Sequence, residues 1–187
     1  MNTQALELLR RKFMAQRRVL CTDNPDRNYS IAQGVKKLYP NATFIHKSNG
    51  WDLTDPGCES AVKQLFKQHN LFINASYIAP GVQTRLLEWC SQTSKYCDVV
   101  NIGSTHEYDG GGDKDYQDSK KNLRDLSLSL NTYRFKTCHL ILGHLSTSDD
   151  SSARQLSIDS VCKMIPWVFE QPFEIPILAI DNKKDPW

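Results

Sequence analysis

The fold is decided by DVVNIGSTHEYDGGGDKDYQDSKKNLRDLSLSLNTYRFKTCHLIL, residues 98–142. Residues 98–103 and 138–142 are short apolar runs of the kind that predicts buried strands. Between them, Leu123 and Leu126 recur at helical spacing and indicate one long helix. A strand, a helix and a second strand in this order are typical of parallel neighbours joined by a crossover helix.

The same alternation extends along most of the chain. Further apolar runs predict strands at 19–22, 43–46, 71–75 and 175–180. Amphipathic stretches predict helices that begin near Ser30 and at Asp52, and helices over 82–95 and 157–170. This alternation favours an α/β fold with a doubly wound parallel sheet, Rossmann-like, in three α/β/α layers. With no repeat or linker, residues 1–187 are expected to form a single domain.

An additional helix is predicted within residues 1–18, where Leu6, Leu9 and Phe13 form one apolar stripe. Basic residues in this segment indicate a solvated helix face, and they interrupt what would be the apolar core of a signal peptide. We therefore expect no secretion. The helix would cover an apolar patch or contact a neighbouring subunit, and the sequence does not choose between these two roles.

Composition excludes several classes of protein. The chain is 40% hydrophobic and 24% charged, as in globular proteins, and its net charge of +2 is too small to indicate nucleic-acid binding. No apolar stretch approaches the length of a membrane span, so no membrane partner is expected. The six scattered cysteines favour a reduced, cytoplasmic location. The five histidines show no ligand spacing, and no metal site is expected.

Three residues of the opening stretch have the types and order of a proton-transfer site. Tyr116 and Lys120 are four positions apart, which places both side chains on one face of a helix. An ammonium beside a phenol favours the phenolate. Ser104 ends the preceding strand region, and its hydroxyl could hydrogen-bond the substrate oxygen that receives the proton. A Tyr-x-x-x-Lys pair is common by chance, so its weight depends on this context.

Polar or small residues also follow four predicted strands, namely Thr22, Asn74, Ser104 and Gly143. The carboxyl ends of parallel strands meet at one edge of a sheet, where such folds bind their ligands. We therefore expect these four residues to lie along one edge.

At this point the chain resembles the short-chain dehydrogenase/reductase family, over nearly its whole length. The resemblance rests on Thr22, Asp52-Leu53-Thr54-Asp55, Asn74-Ala75, Asn101-Ile102-Gly103-Ser104, Tyr116 with Lys120, and Gly143 through Thr147. It implies a nicotinamide cofactor, catalysis by Ser104, Tyr116 and Lys120, and cofactor contacts from Thr22, Ser30, Asp52, Leu53, Asn74, Ala75, Ser76 and Thr147. The short segment 46–52 and the run 103–110 look somewhat like the sugar-nucleotide reductase branch.

The chain departs from the family pattern in its first strand–helix turn. Family members have three glycines there, because glycine allows a tight turn and a close approach of the backbone to pyrophosphate. Residues 22–30 contain no glycine, and Asp23 and Asp26 place negative charge near a pyrophosphate. Ser76 replaces another family glycine, and Gln83 is a poor counterpart of the asparagine that relays protons in the family.

Two interpretations of the site follow. If a cofactor binds, Arg27 and Lys47 could pair with a ribose 2′-phosphate, and the second strand has no acidic residue at its end. NADP would then be preferred over NAD. The protein would be an oxidoreductase that acts on a small carbonyl or alcohol. Alternatively, Arg27 and Lys47 are ordinary surface charges, and the protein is a non-catalytic binding or regulatory protein with a degenerate cofactor site.

The resemblance also implies a homo-oligomer. Family members usually pair through the helix that follows Tyr116 and the helix before the fourth strand. Leu123, Leu126, Leu130 and Trp89 could form such a surface, although they would serve equally well as core residues.

Overall fold

The computed structural model describes residues 17–94, 96–109, 113–132, 134–143, 145 and 156–181. The predicted helix within residues 1–18 therefore lies almost entirely outside the described residues. Strands and helices alternate in the order β1 (Val19–Thr22), α1 (Ile31–Leu38), β2 (Thr43–Ile45), α2 (Glu59–Gln68), β3 (Leu71–Asn74), α3 (Val82–Thr93), β4 (Asp98–Ile102), α4 (His106–Asp109), α5 (Lys114–Leu130), β5 (Thr137–Leu142), α6 (Ile158–Glu170) and β6 (Ile177–Ile180).

Within the described residues the strands form one sheet in the order β2-β1-β3-β4-β5-β6, and every neighbouring pair is parallel. The prediction of a doubly wound parallel sheet is confirmed. In the classic dinucleotide-binding order 3-2-1-4-5-6 a third strand lies outside the second, whereas in this sheet β2 itself is the edge strand. The strand order reverses between β1 and β3, so a crevice is expected above their carboxyl ends.

Both faces of the sheet are covered, which explains why the strands are almost continuously apolar. Val19 and Cys21 of β1 pack into a core with α1 and α6. Leu20, between them, points to the opposite face and packs with residues of α2, α3 and α5. Successive side chains of a strand point to opposite faces, so one short strand contributes to two cores.

The helix predicted to open at Asp52 begins later, at Glu59. The Asp52 carboxylate accepts hydrogen bonds from the amide and the hydroxyl of Thr54, and the Asp55 carboxylate accepts one from the amide of Gly57. Aspartates that bond amides two residues ahead stabilise turns in competition with a helix. These turns lead through a single 3-10 turn, Pro56–Cys58, into α2.

The apolar residues considered for a subunit interface contribute to the core of the chain itself. Leu123 and Trp89 are buried, and Leu126 and Leu130 pack against the same core. Cys21 and Cys138 are buried in strands, as expected of small apolar side chains. Across the described ranges, no helix is both long and apolar enough to cross a bilayer.

Candidate functional site

A row of buried polar side chains runs across the carboxyl edge of the sheet. The strand register aligns Thr22 with Asn74, Asn74 with Asn101, and Asn101 with His139. All four side chains are fully buried. The amide of Asn74 donates to Asn101 Oδ1 at 3.0 Å, and the amide of Asn101 donates to the hydroxyl of Ser127 at 3.1 Å. These hydrogen bonds satisfy some of the buried polar groups, whereas Asn74 Oδ1 and His139 Nδ1 have no hydrogen-bond partner among the described residues.

A cavity of about 530 Å³ lies above this edge. Its walls come from the loop between β1 and α1, the ends of β3, β4 and β5, and helix α5. The residues predicted for catalysis, Ser104, Tyr116 and Lys120, all line it, as do Arg27, Ser30 and Ala75 from the predicted cofactor set. The structure therefore brings together residues that lie far apart in the sequence.

Lys120 is held in the interior at the base of this cavity. Only 2% of its surface is exposed, and its ammonium donates to Gln83 Oε1 and to the backbone carbonyl of Ile102, both at 2.7 Å. Burial lowers the pKa of Lys120 to about 8, and the nearby carboxylate of Glu107 acts in the opposite direction. The side chain is therefore fixed in position and is easier to deprotonate than a surface lysine.

Aromatic rings surround the ammonium on the cavity side. Lys120 Nζ lies 5.5 Å from the ring centre of Tyr116 and 5.7 Å from that of Tyr77. The two tyrosine rings meet edge to face with their centres 4.7 Å apart, and the ring of His106 lies 6.3 Å from that of Tyr116. These distances are in the range of favourable cation–π and aromatic contacts. Tyr116 is thus packed on one side and open to the cavity on the other.

The loop that presents Ser104 is fixed by a buried carboxylate. The backbone amide of Ser104 donates to Glu107 Oε1 at 3.0 Å, and the same oxygen lies 2.8 Å from His139 Nε2. Gly103 leaves room for this pair, because a methyl group at that position would collide with both the carboxylate and the imidazole. The position of Ser104 therefore depends on a glycine beneath it.

The hydroxyl of Ser104 is nearly buried, with 8% of the residue exposed, and it accepts a hydrogen bond from the backbone amide of His106 at 3.3 Å. Its own proton remains available to an acceptor in the cavity. A carbonyl or hydroxyl oxygen of a small molecule is an acceptor of that kind.

The glycine-free turn between β1 and α1 keeps a backbone path that normally favours glycine. Asp23 has a φ of 149° and Tyr29 a φ of 59°. The turn is held by its own side chains, since Asn24 Oδ1 accepts from the amide of Asp26 and the Ser30 hydroxyl donates to the Asn24 carbonyl at 3.1 Å. Ser30 also caps α1 by accepting from the amide of Gln33.

Asp23 places a carboxylate on the wall of the cavity. Burial raises the pKa of Asp23, while a hydrogen bond from the amide of Asn24 and the charges of Arg27 and His46 act in the opposite direction. The part of the cavity wall that comes from the loop between β1 and α1 thus carries one acid, Asp23, and one cation, Arg27.

The sequence matches no protein-family model and no curated protein. Solved structures are similar to this chain in fold. A short-chain dehydrogenase from Sphingobium yanoikuyae in complex with NADPH aligns with a TM-score of 0.66 and 14% identity, over 87% of each chain. The fold is that of the short-chain dehydrogenases and reductases. An NADH-dependent reductase A1-R′ complexed with NAD gives a TM-score of 0.67 and 13% identity, over 90% of this chain and 96% of that one. A GDP-L-fucose synthetase from Naegleria fowleri bound to NADP gives 0.66 and 11%, over 91% and 78%.

Three residues of the predicted cofactor set, Thr22, Asn74 and Ser76, are not among the described residues that line the cavity, but each is next in sequence to one that does. Thr22 Oγ1 accepts from the amides of Ala75 at 2.9 Å and Ser76 at 3.2 Å, so it shapes the turn after β3. The side chain of Asn74 is fully buried and donates to the carbonyl of Gln83. These residues hold the wall of the site, and the groups that face the cavity come from their neighbours.

Other members of the predicted set lie away from the described cavity lining. Lys47 and Asp52 are exposed on the turns that follow β2, and hydrogen bonds from Thr54 lower the pKa of Asp52. Leu53 is buried in the core on the α2 side, where its carbonyl accepts from the guanidinium of Arg85. Thr147 lies outside the described residues.

Sequence reasoning missed several residues of the site. The sequence marks Gln83 only as a poor counterpart of the family asparagine. In the structure its side-chain oxygen accepts a hydrogen bond from Lys120, and its side-chain amide donates to the carbonyl of Asn74 at 2.8 Å. Tyr77 and His106 were not identified. Both come shortly after a polar strand end, two or three residues past Asn74 and Ser104, and that position is the signal by which they could have been found.

Proposed function

We propose that the protein is a NAD(P)-dependent oxidoreductase of the short-chain dehydrogenase/reductase type, which interconverts a small carbonyl compound and its alcohol. One observation carries this proposal: Ser104, Tyr116 and Lys120 line the same cavity at the carboxyl edge of a doubly wound sheet. Structures of the same fold that contain NADPH, NAD or NADP support the choice of cofactor.

The nicotinamide ring would supply or accept the hydride when the cofactor is bound. Tyr116 would exchange the hydroxyl proton with the substrate oxygen. Lys120, whose ammonium lies 5.5 Å from the ring of Tyr116, would stabilise negative charge that develops on the phenol. Ser104 would donate its hydroxyl proton in a hydrogen bond that orients the same oxygen.

The residues of the cavity fit the nicotinamide end of such a cofactor. Arg27 and Ser30 line the cavity just before α1, where the helix dipole favours a phosphate, and Ala75 lines it directly after β3. Lys120 would hold the nicotinamide ribose at the opposite end. NADP is proposed ahead of NAD because Arg27 and Lys47 are basic and β2 ends without an acidic residue. Thr22, Asn74 and Ser76 would support this wall, and Asp52, Leu53 and Thr147 remain predicted contacts.

A cytoplasmic location and a homo-oligomeric state complete the proposal. The six cysteines have no disulfide among the described residues, which is consistent with a reduced compartment. The oligomer is proposed from the family resemblance alone, because the apolar residues considered for an interface already pack in the core.

A second candidate is a non-catalytic binding or regulatory protein on the same fold. The turn between β1 and α1 favours it, because Ser30 already satisfies the amide of Gln33 and Asp23 adds a carboxylate to the cavity wall. A cofactor phosphate would have to approach a carboxylate there and would find fewer open amides than at a glycine-rich turn.

Tyr116→Phe separates the two candidates. For an enzyme, turnover of NADPH or NADH with a panel of aldehydes, ketones and secondary alcohols should fall by about 10²–10⁴-fold, because a proton donor is lost. The affinity for the cofactor, measured by calorimetry, should remain nearly unchanged. Tyr96→Phe is the matched control, since Tyr96 is 69% exposed and lies outside the cavity lining. Full activity in Tyr116→Phe would exclude the mechanism, and the absence of any nicotinamide binding in the unmodified protein would favour the second candidate.

A further inference from the structure

We infer that Glu107 is a positioning residue of the site, whose buried carboxylate both holds the loop that presents Ser104 and provides the negative charge that stabilises the ammonium of Lys120. Glu107 is not among the described residues that line the cavity, so it acts through these two neighbours. For its effect on turnover, the inference rests on the proposed function. It depends on three observations: the contacts of each carboxylate oxygen, the charges of the groups around them, and the position of Glu107 beside helix α5.

The two oxygens of the Glu107 carboxylate lie in different surroundings. Oε1 accepts a hydrogen bond from the backbone amide of Ser104 at 3.0 Å and lies 2.8 Å from His139 Nε2. Oε2 is buried without a hydrogen-bond partner among the described residues, and Arg124 Nη1 lies 3.7 Å from it. An ionised oxygen is costly to bury unless positive charge lies nearby. Oε1 therefore fixes the position of the side chain, and the charge of Glu107 depends on cations near it.

His139 orients the carboxylate and is not that source of positive charge. A carboxylate oxygen only accepts hydrogen bonds, so the proton in this contact belongs to His139 Nε2. Nδ1 of the same ring is buried and has no partner among the described residues. A second proton on Nδ1 would be a buried donor without an acceptor, so the geometry fits a neutral imidazole.

The positive charge comes from helix α5. Lys120 and Arg124 are four positions apart and lie on one face of this helix. Arg124 is shared with the exposed carboxylate of Asp125 at 2.9 Å, and water screens its charge in part. Lys120 is buried, and this burial lowers its pKa to about 8, while the charge of Glu107 acts to raise it. Glu107 thus favours the ammonium form that the proposed role of Lys120 requires.

The pH dependence of Lys120 reflects every group around this pair. Helix α3 contributes only an uncharged amide, the side chain of Gln83. The other groups that titrate or carry charge come from the elements packed against Glu107 and Lys120: His139 of β5, Tyr116 and Arg124 of α5, His106 of α4, and Tyr77 after β3. All of them remain when Glu107 alone is substituted, so the comparison with the wild type isolates its charge.

Glu107→Gln tests the charge, because glutamine lacks it but keeps an oxygen acceptor for Ser104 and His139. Asp125→Asn is the matched control, since it neutralises an exposed acid that contacts Arg124. NMR of the full chain labelled with ¹³C at lysine follows the titration of Lys120, whose signal is the one absent from Lys120→Met. We expect a midpoint near pH 8 in the wild type and in the control, and a midpoint about one pH unit lower in Glu107→Gln. An unchanged midpoint in Glu107→Gln would overturn the inference, whether or not the protein is an enzyme.

Glu107→Asp tests the position, because it keeps the charge but shortens the side chain, and it provides a test even if Glu107→Gln does not fold. The midpoint of Lys120 should stay within about half a pH unit of the wild type. The kcat should fall about tenfold or more, because the amide of Ser104 loses its acceptor, while the KM for the cofactor changes little. A midpoint that falls by a full unit would overturn the charge role, and an unchanged kcat would overturn the positioning role.

Turnover of NADPH or NADH with the carbonyl panel from pH 6 to pH 10 links the charge to catalysis. In Glu107→Gln the loss of activity at alkaline pH should begin about one pH unit lower than in the wild type, in step with the titration of Lys120. An unshifted profile in this variant would overturn the role of Glu107 in turnover. If the wild type turns over no substrate while Lys120 titrates as expected, the proposed function is wrong and the charge role of Glu107 stands.

Discussion

The burial of Lys120 should give the protein a pH dependence that a single substitution removes. Burial lowers the pKa of Lys120 from 10.5 to about 8, so the folded chain releases this proton before the unfolded chain does. Between these two values the unfolded state binds more protons, and the free energy of unfolding therefore rises with pH. From pH 7 to pH 10 this one group should contribute a rise of about 2.5 kcal/mol, since one pKa unit corresponds to about 1.4 kcal/mol.

The measurement compares the wild type with Lys120→Met by urea unfolding at pH 7, 8, 9 and 10. Methionine retains most of the buried chain but leaves Gln83 Oε1 and the Ile102 carbonyl without their donor, so the absolute difference at one pH combines several effects. The change of that difference with pH isolates the lysine, because all other titrating groups are common to both proteins.

The stability of the wild type relative to Lys120→Met is expected to increase by about 2.5 kcal/mol from pH 7 to pH 10. Lys67→Met, at an exposed position on α2, serves as the control. Its free energy of unfolding should change with pH in the same way as that of the wild type. If the free energy of unfolding of Lys120→Met also changes with pH as that of the wild type does, the ammonium does not lose its hydration on folding. The reasoning that places it between Gln83 and Ile102 would then be refuted.

Two further predictions concern the backbone around the cavity. Asp23→Gly should be about 1 kcal/mol more stable than Asp23→Asn in urea unfolding, because both remove the charge but only glycine adopts a φ of 149° without strain. Equal stabilities would show that the turn is not strained at this position. Gly103→Ala should cost about 1–3 kcal/mol by the same assay, because its methyl group would collide with Glu107 and His139. A negligible cost would show that this pair can move and does not fix Ser104.

The sequence was sufficient to predict the layers of the fold, because strand and helix periodicities differ and most runs are long enough to tell apart. Strand β1 falls at the predicted residues 19–22, and α5 contains the predicted leucines. The start of α2 was placed too early because Asp52 and Asp55 have the residue types of helix caps but form separate turns. Strand β5 begins one residue before its predicted start, at Thr137, whose hydroxyl donates to the carbonyl of Ser127. Only the folded structure supplies that partner.

The site was predictable where its residues share one helix or one strand end. Tyr116 and Lys120 are four apart, so helical geometry alone places them on one face. Gln83 lies 37 positions before Lys120 and reaches it only because α3 packs against α5. Glu107 has no apolar pattern that marks it as buried, yet its carboxylate lies under Ser104. Contacts of this kind depend on how elements pack, which no local periodicity encodes.

The turn between β1 and α1 separates two properties that glycine usually combines. Glycine provides freedom of φ and also the absence of a side chain, and a pyrophosphate needs both. In this chain the backbone conformation is kept at Asp23 and Tyr29, where hydrogen bonds donated to Asn24 by the amide of Asp26 and the hydroxyl of Ser30 hold the turn against its strain. The open space that glycine would leave above the turn is not kept. Asp23 and Tyr29 line the cavity, and the side-chain amide of Asn24 donates a hydrogen bond to the hydroxyl of Ser48. A turn can therefore retain the backbone conformation of a glycine-rich loop while its side chains occupy part of the space above it.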